Sequence, residues 1–186
     1  MDTDIALNTT TDEPSTGAGE VEMLLFALDR SRAQFAWKCG GLDAAGLGRA
    51  HPPSPMTLGG LLKHVAFVDD WTAVRLTGEQ MPPPWTAVDW DADPHWPRHS
   101  AADDRPEELY RPWREAAERC RAAVAEVLAD GGLDRPAKFS FDPGELPTAR
   151  RLLVDLHDEY ARHVGHADLF REAVDGLVGE DPPRPG

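Results

Sequence analysis

The chain has 186 residues, with 33 acidic and 19 basic side chains and a formal net charge of −14. This length favours one domain whose core is large enough to fold without disulfides. Such an acidic chain repels phosphate groups, which argues against nucleic-acid binding through a basic surface and against an anionic membrane surface. No apolar run approaches the ~18 residues that would cross a bilayer.

The two ends of the chain and its cysteines suggest a cytoplasmic protein. Residues 1–19 are polar and have neither the basic nor the apolar region of a secretory signal, so we predict a disordered tail. Residues 179–186 are rich in proline and predict a second loose tail, which leaves a domain at residues 20–178. Cys39 and Cys120 lie far apart in the sequence, and we interpret them as buried thiols in a reducing compartment.

Apolar residues recur at helical spacing in four long segments. They predict helices at about residues 20–39, 57–77, 105–129 and 148–174. Thr57 is suited to cap the second helix, and glycines follow the ends of the helices. No pair of strands is predicted, so the pattern favours an all-α four-helix bundle with long connections.

One connection, residues 79–104, is unusually long and aromatic. We call it the tryptophan segment, because it holds Trp85, Trp90 and Trp96 among many prolines and aspartates. Long loops in compact domains often cover binding sites, which makes these residues, with Trp71 on the second helix, candidates for contact with a substrate. The alternative is that the tryptophans only fix the segment to the bundle by burying apolar area.

Ionisable residues share a face of the fourth helix with apolar ones. At 100° per residue, His163 lies about 40° and His166 about −20° from Glu159, close to Leu156 and Phe170. His157 lies about 160° away and points elsewhere. Polar groups on a buried face are costly unless they are paired or bind a metal, so the pattern leaves both a metal site and a hydrogen-bonded cluster open.

A single helix rarely completes a metal site, so a neighbouring helix has to contribute. His64 on the second helix lies at the edge of the apolar face, on the same side as Val68, Trp71 and Arg75. It is either a ligand from that helix or a half-exposed histidine without a role. The motifs of di-iron bundles, of HExxH metalloproteases, of phosphate-binding loops and of serine hydrolases are all absent from the sequence.

Three separated segments resemble the DinB-like superfamily, and point to a branch of actinobacterial proteins known as a domain of unknown function. They are residues 56–64 (MTLGGLLKH), 88–94 (VDWDADP) and 159–168 (EYARHVGHAD), and the resemblance covers roughly residues 20–178. The resemblance implies a four-helix bundle that holds a divalent metal. Its ligands would be His64 from the second helix, with Glu159 and His163 from the last.

Two positions depart from the commonest pattern of that superfamily. Glu159 stands where many members have histidine, although the mycothiol-dependent isomerase branch also has glutamate there. His166 stands where many relatives have glutamine, and it is a candidate fourth ligand, outer-sphere residue or acid–base group. Arg75 and Arg162 are further candidates, for holding a carboxylate or a sugar hydroxyl.

The resemblance also implies a reaction. Related proteins use mycothiol or bacillithiol as cosubstrates in transferase or isomerase reactions. Two neutral imidazoles and one carboxylate would leave a divalent ion with positive charge and open positions, zinc being favoured over nickel, iron or manganese. A thiol bound there would ionise and attack a small electrophile, so neither cysteine of the chain is needed.

Two other functions remain open at this point. The same fold and metal could sequester a small molecule without catalysis, or the polar cluster could hold no metal in an interaction module. A homodimer is compatible with a helical bundle, although no sequence feature specifies one.

Overall fold

The secondary structure follows the four predicted helices closely. The computed structural model describes residues 9–140 and 144–182, where it contains helices and no strand. The helices are α1 Glu20–Cys39, α2 Ala44–Leu47, α3 Leu58–Thr77, α4 Trp96–Ser100, α5 Pro106–Ala129 and α6 Ala149–Asp175. The all-α fold is thereby confirmed. The short helices α2 and α4 are additions that the periodicity did not reveal, because each spans about one turn.

Capping residues explain where the long helices begin and end. The Thr57 side chain accepts a hydrogen bond from the Gly60 amide at 3.0 Å, and Thr148 caps α6 in the same way. At the other end of α3, Gly78 has a φ of 82°, a left-handed conformation that favours glycine. The predicted cap at Thr57 is therefore confirmed.

Ion pairs and hydrogen bonds between α1 and α6 show the relative direction of these two helices. Arg150 pairs with Glu20 at 2.8 Å where α1 and α6 both begin, and Arg171 donates to the Gly40 carbonyl at 2.7 Å where both end. These two helices are therefore parallel.

Helices α3 and α5 are also parallel to each other. A Cβ atom on Gly59 would lie 3.1 Å from Leu109 near the start of both helices, and Arg119 pairs with Asp70 at 2.8 Å farther along. The chain must therefore travel back along the whole of α3, a length of about 30 Å, before α5 can begin. This return accounts for the length of the tryptophan segment.

A buried polar network lies inside the core between α1, α3, α5 and α6. The Asp69 side chain is 0 % exposed; it accepts hydrogen bonds from the guanidinium of Arg32 and, at 2.5 Å, from the hydroxyl of Tyr160. Trp113 in turn donates its Nε1 hydrogen to the Tyr160 oxygen at 2.8 Å. Since each of these helices contributes a partner, the network fixes the register of α6 against α3.

Trp85 fixes the tryptophan segment to the core. Its side chain is 3 % exposed and donates from Nε1 to Asp70 at 2.8 Å. Trp71, Trp90 and Trp96 are only half-buried, and the rings of Trp71 and Trp90 both contact Phe67. The alternative that the tryptophans anchor the segment thus describes Trp85, whereas the other three remain partly exposed.

The remaining sequence predictions concern the ends of the chain and membranes. Residues 9–19 contain no helix or strand, while residues 1–8 and 183–186 lie outside the described part of the chain, as does Phe141. The tail boundaries remain predictions. Among the described helices, none combines the length and the apolar character that a membrane span requires.

Candidate metal site

Three side chains from α3 and α6 converge on one point. Oε2 of Glu159 lies 3.3 Å from Nε2 of His64 and 3.4 Å from Nε2 of His163. One ligand atom from each of the three residues can be chosen so that all lie within 4.8 Å of one another. The edge-to-face rings of His64 and His163, 4.8 Å apart, bring the two helices together at this point.

These separations fit a bound divalent ion. Zinc lies about 2.0–2.2 Å from imidazole nitrogen and carboxylate oxygen, so neighbouring ligands of a tetrahedral ion lie about 3.4 Å apart. The two observed distances from the glutamate oxygen agree with that value. Two imidazoles and one carboxylate are also the donor set of several catalytic zinc sites, which leave a further position open. The residues present therefore suit a metal.

The ligands lie at the edge of the core rather than at its centre. His163 is 2 % exposed, whereas the side chains of Glu159 and His64 are 30 % and 19 % exposed. Leu153, Tyr160 and other buried residues of α6 place the centre of its buried face roughly 70° from Glu159. The sequence arithmetic placed the ionisable residues too centrally, because it did not count that side of the helix. Partial exposure at the edge gives small molecules access.

Arg162 holds one oxygen of the glutamate and leaves the other for the site. Its guanidinium lies 3.2 Å from Oε1 of Glu159 and also pairs with Asp158 at 2.6 Å. Oε2, the atom that faces both histidines, does not contact the arginine in these pairs. In this position Arg162 orients the carboxylate, and it remains half-exposed.

His166 contacts the far side of His163. Nδ1 of His166 lies 3.2 Å from Nδ1 of His163, whereas the Nε2 atom of His163 faces the glutamate. The ring of His166 also stacks over Phe170 at 6.4 Å. This contact suits an outer-sphere partner that fixes the tautomer and the orientation of a ligating histidine. It suits a fourth ligand less well, because it is made on the nitrogen that points away from the site.

The electrostatic environment keeps the histidines neutral and the glutamate ionised. Burial, with the neighbouring charge of His64, lowers the pKa of His163 to about 4. Burial and the Arg98 guanidinium lower the pKa of His64 as well. Burial alone would raise the pKa of Glu159, but the hydrogen bond with His64 and the nearby positive charges lower it. Neutral imidazole and ionised carboxylate are the forms that bind metals.

The other arginine that the sequence singled out lies away from this point. Arg75 is on the same side of α3 as His64 but three turns later, about 16 Å along the helix axis. Trp71 lies between them, in contact with Phe67 and Phe139. Any role of Arg75 therefore belongs to the far end of this face.

Sequence analysis missed Arg98, which contributes positive charge near both histidines. Its guanidinium helps to lower the pKa of His64 and of His163. Arg98 belongs to α4, inside the tryptophan segment, where a helix of about one turn leaves no periodic pattern to interpret. The available signal was the cluster of His95, Arg98 and His99 directly after residues 88–94.

A family model described as mycothiol S-transferase matches residues 23–176, which include all of α2–α6 and all but the first three residues of α1. No curated protein matches the chain.

Proposed function

The chain belongs to the mycothiol S-transferase family, and from that premise we propose that it joins the sulfur of a mycothiol-type thiol to a small electrophile with the help of a divalent metal. The proposal depends on one observation, the convergence of His64, Glu159 and His163. The two histidine Nε2 atoms lie 3.3 Å and 3.4 Å from Oε2 of Glu159, and one ligand atom from each residue lies within 4.8 Å of the others. The family description favours transfer of the thiol over isomerisation.

The residues of the site have separate tasks in this proposal. His64, Glu159 and His163 hold the metal, which when bound stabilises a coordinated thiol in its ionised form. Arg162 keeps Oε2 of the glutamate turned into the site through its contact with Oε1. His166 accepts a hydrogen from Nδ1 of His163, so that the Nε2 lone pair of His163 faces its partners.

The reacting sulfur comes from the cosubstrate and not from the chain. Cys39 and Cys120 are both 0 % exposed. Burial, followed by the nearby charge of Asp69, raises the pKa of Cys120 to about 12, and burial also raises the pKa of Cys39. Since only the ionised form of a thiol is a good nucleophile, neither cysteine can serve.

The half-buried tryptophans complete the substrate side of the site. Trp96 packs beside Lys63, one residue before His64, with the Lys63 Nζ atom 4.4 Å from its ring. Trp71 and Trp90 contact Phe67, one turn farther along α3. Aromatic surface of this kind excludes water from a sulfur–carbon bond-forming step and binds an apolar electrophile. The thiol proton leaves to solvent. In a substitution the attacked carbon loses its leaving group with the bonding electron pair, and in an addition the neighbouring atom that receives the displaced electron pair takes up a proton.

A turnover assay with the untagged protein tests the proposal. We expect mycothiol to be consumed faster with protein than without it when an aryl halide such as 1-chloro-2,4-dinitrobenzene is present. A chelator should remove the acceleration, and zinc or nickel should restore it. Thiol or electrophile binding without any turnover, across a panel of electrophiles, would instead identify a sequestering protein.

A further inference from the structure

Arg98 is a guanidinium without an acidic partner in a strongly acidic protein. The chain has 33 acidic side chains for 19 basic ones. Eleven arginines in the described ranges pair with a carboxylate. Arg98 makes no ion pair with any residue in the described ranges, and its Nε atom is buried without a hydrogen-bond partner there. A buried N–H group without a partner is costly, which suggests that a ligand supplies the missing acceptor.

The position of Arg98 is fixed by close packing of α4 on α3. A Cβ atom on Gly60 would lie only 3.3 Å from the Arg98 carbonyl oxygen, so the absence of a side chain at Gly60 allows this approach. Gly60 precedes His64 by one helical turn on the same face. The backbone at Arg98 therefore lies one turn of α3 from His64, close enough for the guanidinium charge to act on both His64 and His163.

A small cavity opens between these two helices. It has a volume of about 180 Å³, and Arg98 forms part of its wall together with Met56, Gly60 and Leu61. Cavities of about 150 Å³ hold a single benzene ring. Larger crevices lie where residues 9–13 cross α1. None of the proposed ligands lines them, and their arginines, Arg30 and Arg121, already have partners.

We propose that Arg98 binds the carboxylate of the second substrate, so that the electrophile is a small carboxylic acid with one ring or a short chain. The guanidinium fork matches the two oxygens of a carboxylate, and the apolar wall receives the rest of the molecule. This inference specifies the substrate of the proposed function and depends on that function for the identity of the ligand as an electrophile.

Binding of benzoate and of its neutral analogue benzamide tests the inference without any turnover. We expect Arg98→Gln to weaken benzoate binding about 10- to 100-fold in a calorimetric or NMR titration, because a charge-assisted contact is lost. The benzamide affinity of Arg98→Gln should stay within about twofold of the wild-type value. The benzoate affinity of Arg98→Lys should lie between the affinities of the wild type and of Arg98→Gln.

The matched control is Arg121→Gln, which removes the same charge on the other side of the bundle. Arg121 pairs with Asp29 between α5 and α1, whereas the site lies between α3 and α6. This variant should bind benzoate as the wild type does. Metal content is measured in every protein, so that a change in the ion is not mistaken for loss of the guanidinium.

The outcomes separate this inference from the proposed function. Equal benzoate affinity in the wild type and Arg98→Gln would overturn the inference. A loss of benzamide affinity as large as the loss of benzoate affinity would also overturn it, because it indicates a change of cavity shape. If no thiol transfer is found but Arg98 still selects benzoate, the carboxylate site stands and the proposed function fails. If thiol transfer is found, and Arg98→Gln has the same ratio of transfer rates for acid and amide electrophiles as the wild type, only the inference fails.

Discussion

Replacement of His163 with alanine is expected to lower the rate of thiol transfer by more than about 100-fold. Even the outer-sphere partners of metal ligands contribute about 10- to 100-fold to metal affinity or activity, and His163 is a proposed ligand. It is also the most buried of the three, so the loss of its ring removes a donor that solvent replaces poorly. The initial rate of mycothiol consumption at saturating electrophile measures the effect.

The control for this prediction comes from the same helix. His157 lies about 160° from Glu159 around α6, and His157→Ala removes an equal side chain from the other face. We expect this variant to retain the wild-type rate within about twofold. Similar rates for His163→Ala and the wild type would show that the cluster takes no part in the reaction.

Replacement of Asp69 with alanine is expected to reduce the free energy of unfolding by about 3–5 kcal/mol. The variant leaves the guanidinium of Arg32, 4 % exposed, without its main partner inside the core. The Tyr160 hydroxyl also loses its acceptor. Breaking one member of a buried ion pair costs more than the pair contributes, because the remaining charge stays buried. Urea unfolding followed by circular dichroism gives the value.

Two further variants show how the stability loss of Asp69→Ala is to be interpreted. Asp155→Ala removes the partner of Arg151 in an exposed ion pair on α6, and it should cost less than about 1 kcal/mol. The double variant Arg32→Met/Asp69→Leu removes both buried charges and should recover much of the stability that Asp69→Ala loses. An Asp69→Ala protein as stable as Asp155→Ala would refute the assigned role, and failure of the double variant to recover would assign the loss to packing.

The sequence predicted the four long helices because their signals are local. Apolar spacing and capping residues such as Thr57 and Gly78 act within one helix, and their positions agree with the observed ends. The direction of α5 relative to α3 depends instead on contacts between helices, such as that of Arg119 with Asp70. No periodic pattern within a single helix carries that information.

The candidate site was predictable in its members but not in its environment. The spacing of Glu159 and His163 places both on one face of α6. His64 lies at the edge of the apolar face of α3, where the sequence left it as either a ligand or a half-exposed histidine without a role, and the structure brings it to the other two. The positions of Arg162, His166 and Arg98 around these ligands depend on side-chain conformations and on the packing of α4. These features follow from tertiary structure, since α4 is too short to show a pattern.

Metal content is the most direct test of the account, because the proposed thiol transfer depends on the ion. Mass spectrometric metal analysis of untagged protein should give about one equivalent of a divalent metal per chain. The metal should be lost in His163→Ala and retained in His157→Ala. Absence of metal from the wild type after incubation with zinc or nickel, or equal metal in the wild type and His163→Ala, would contradict the assignment of His64, Glu159 and His163 as ligands.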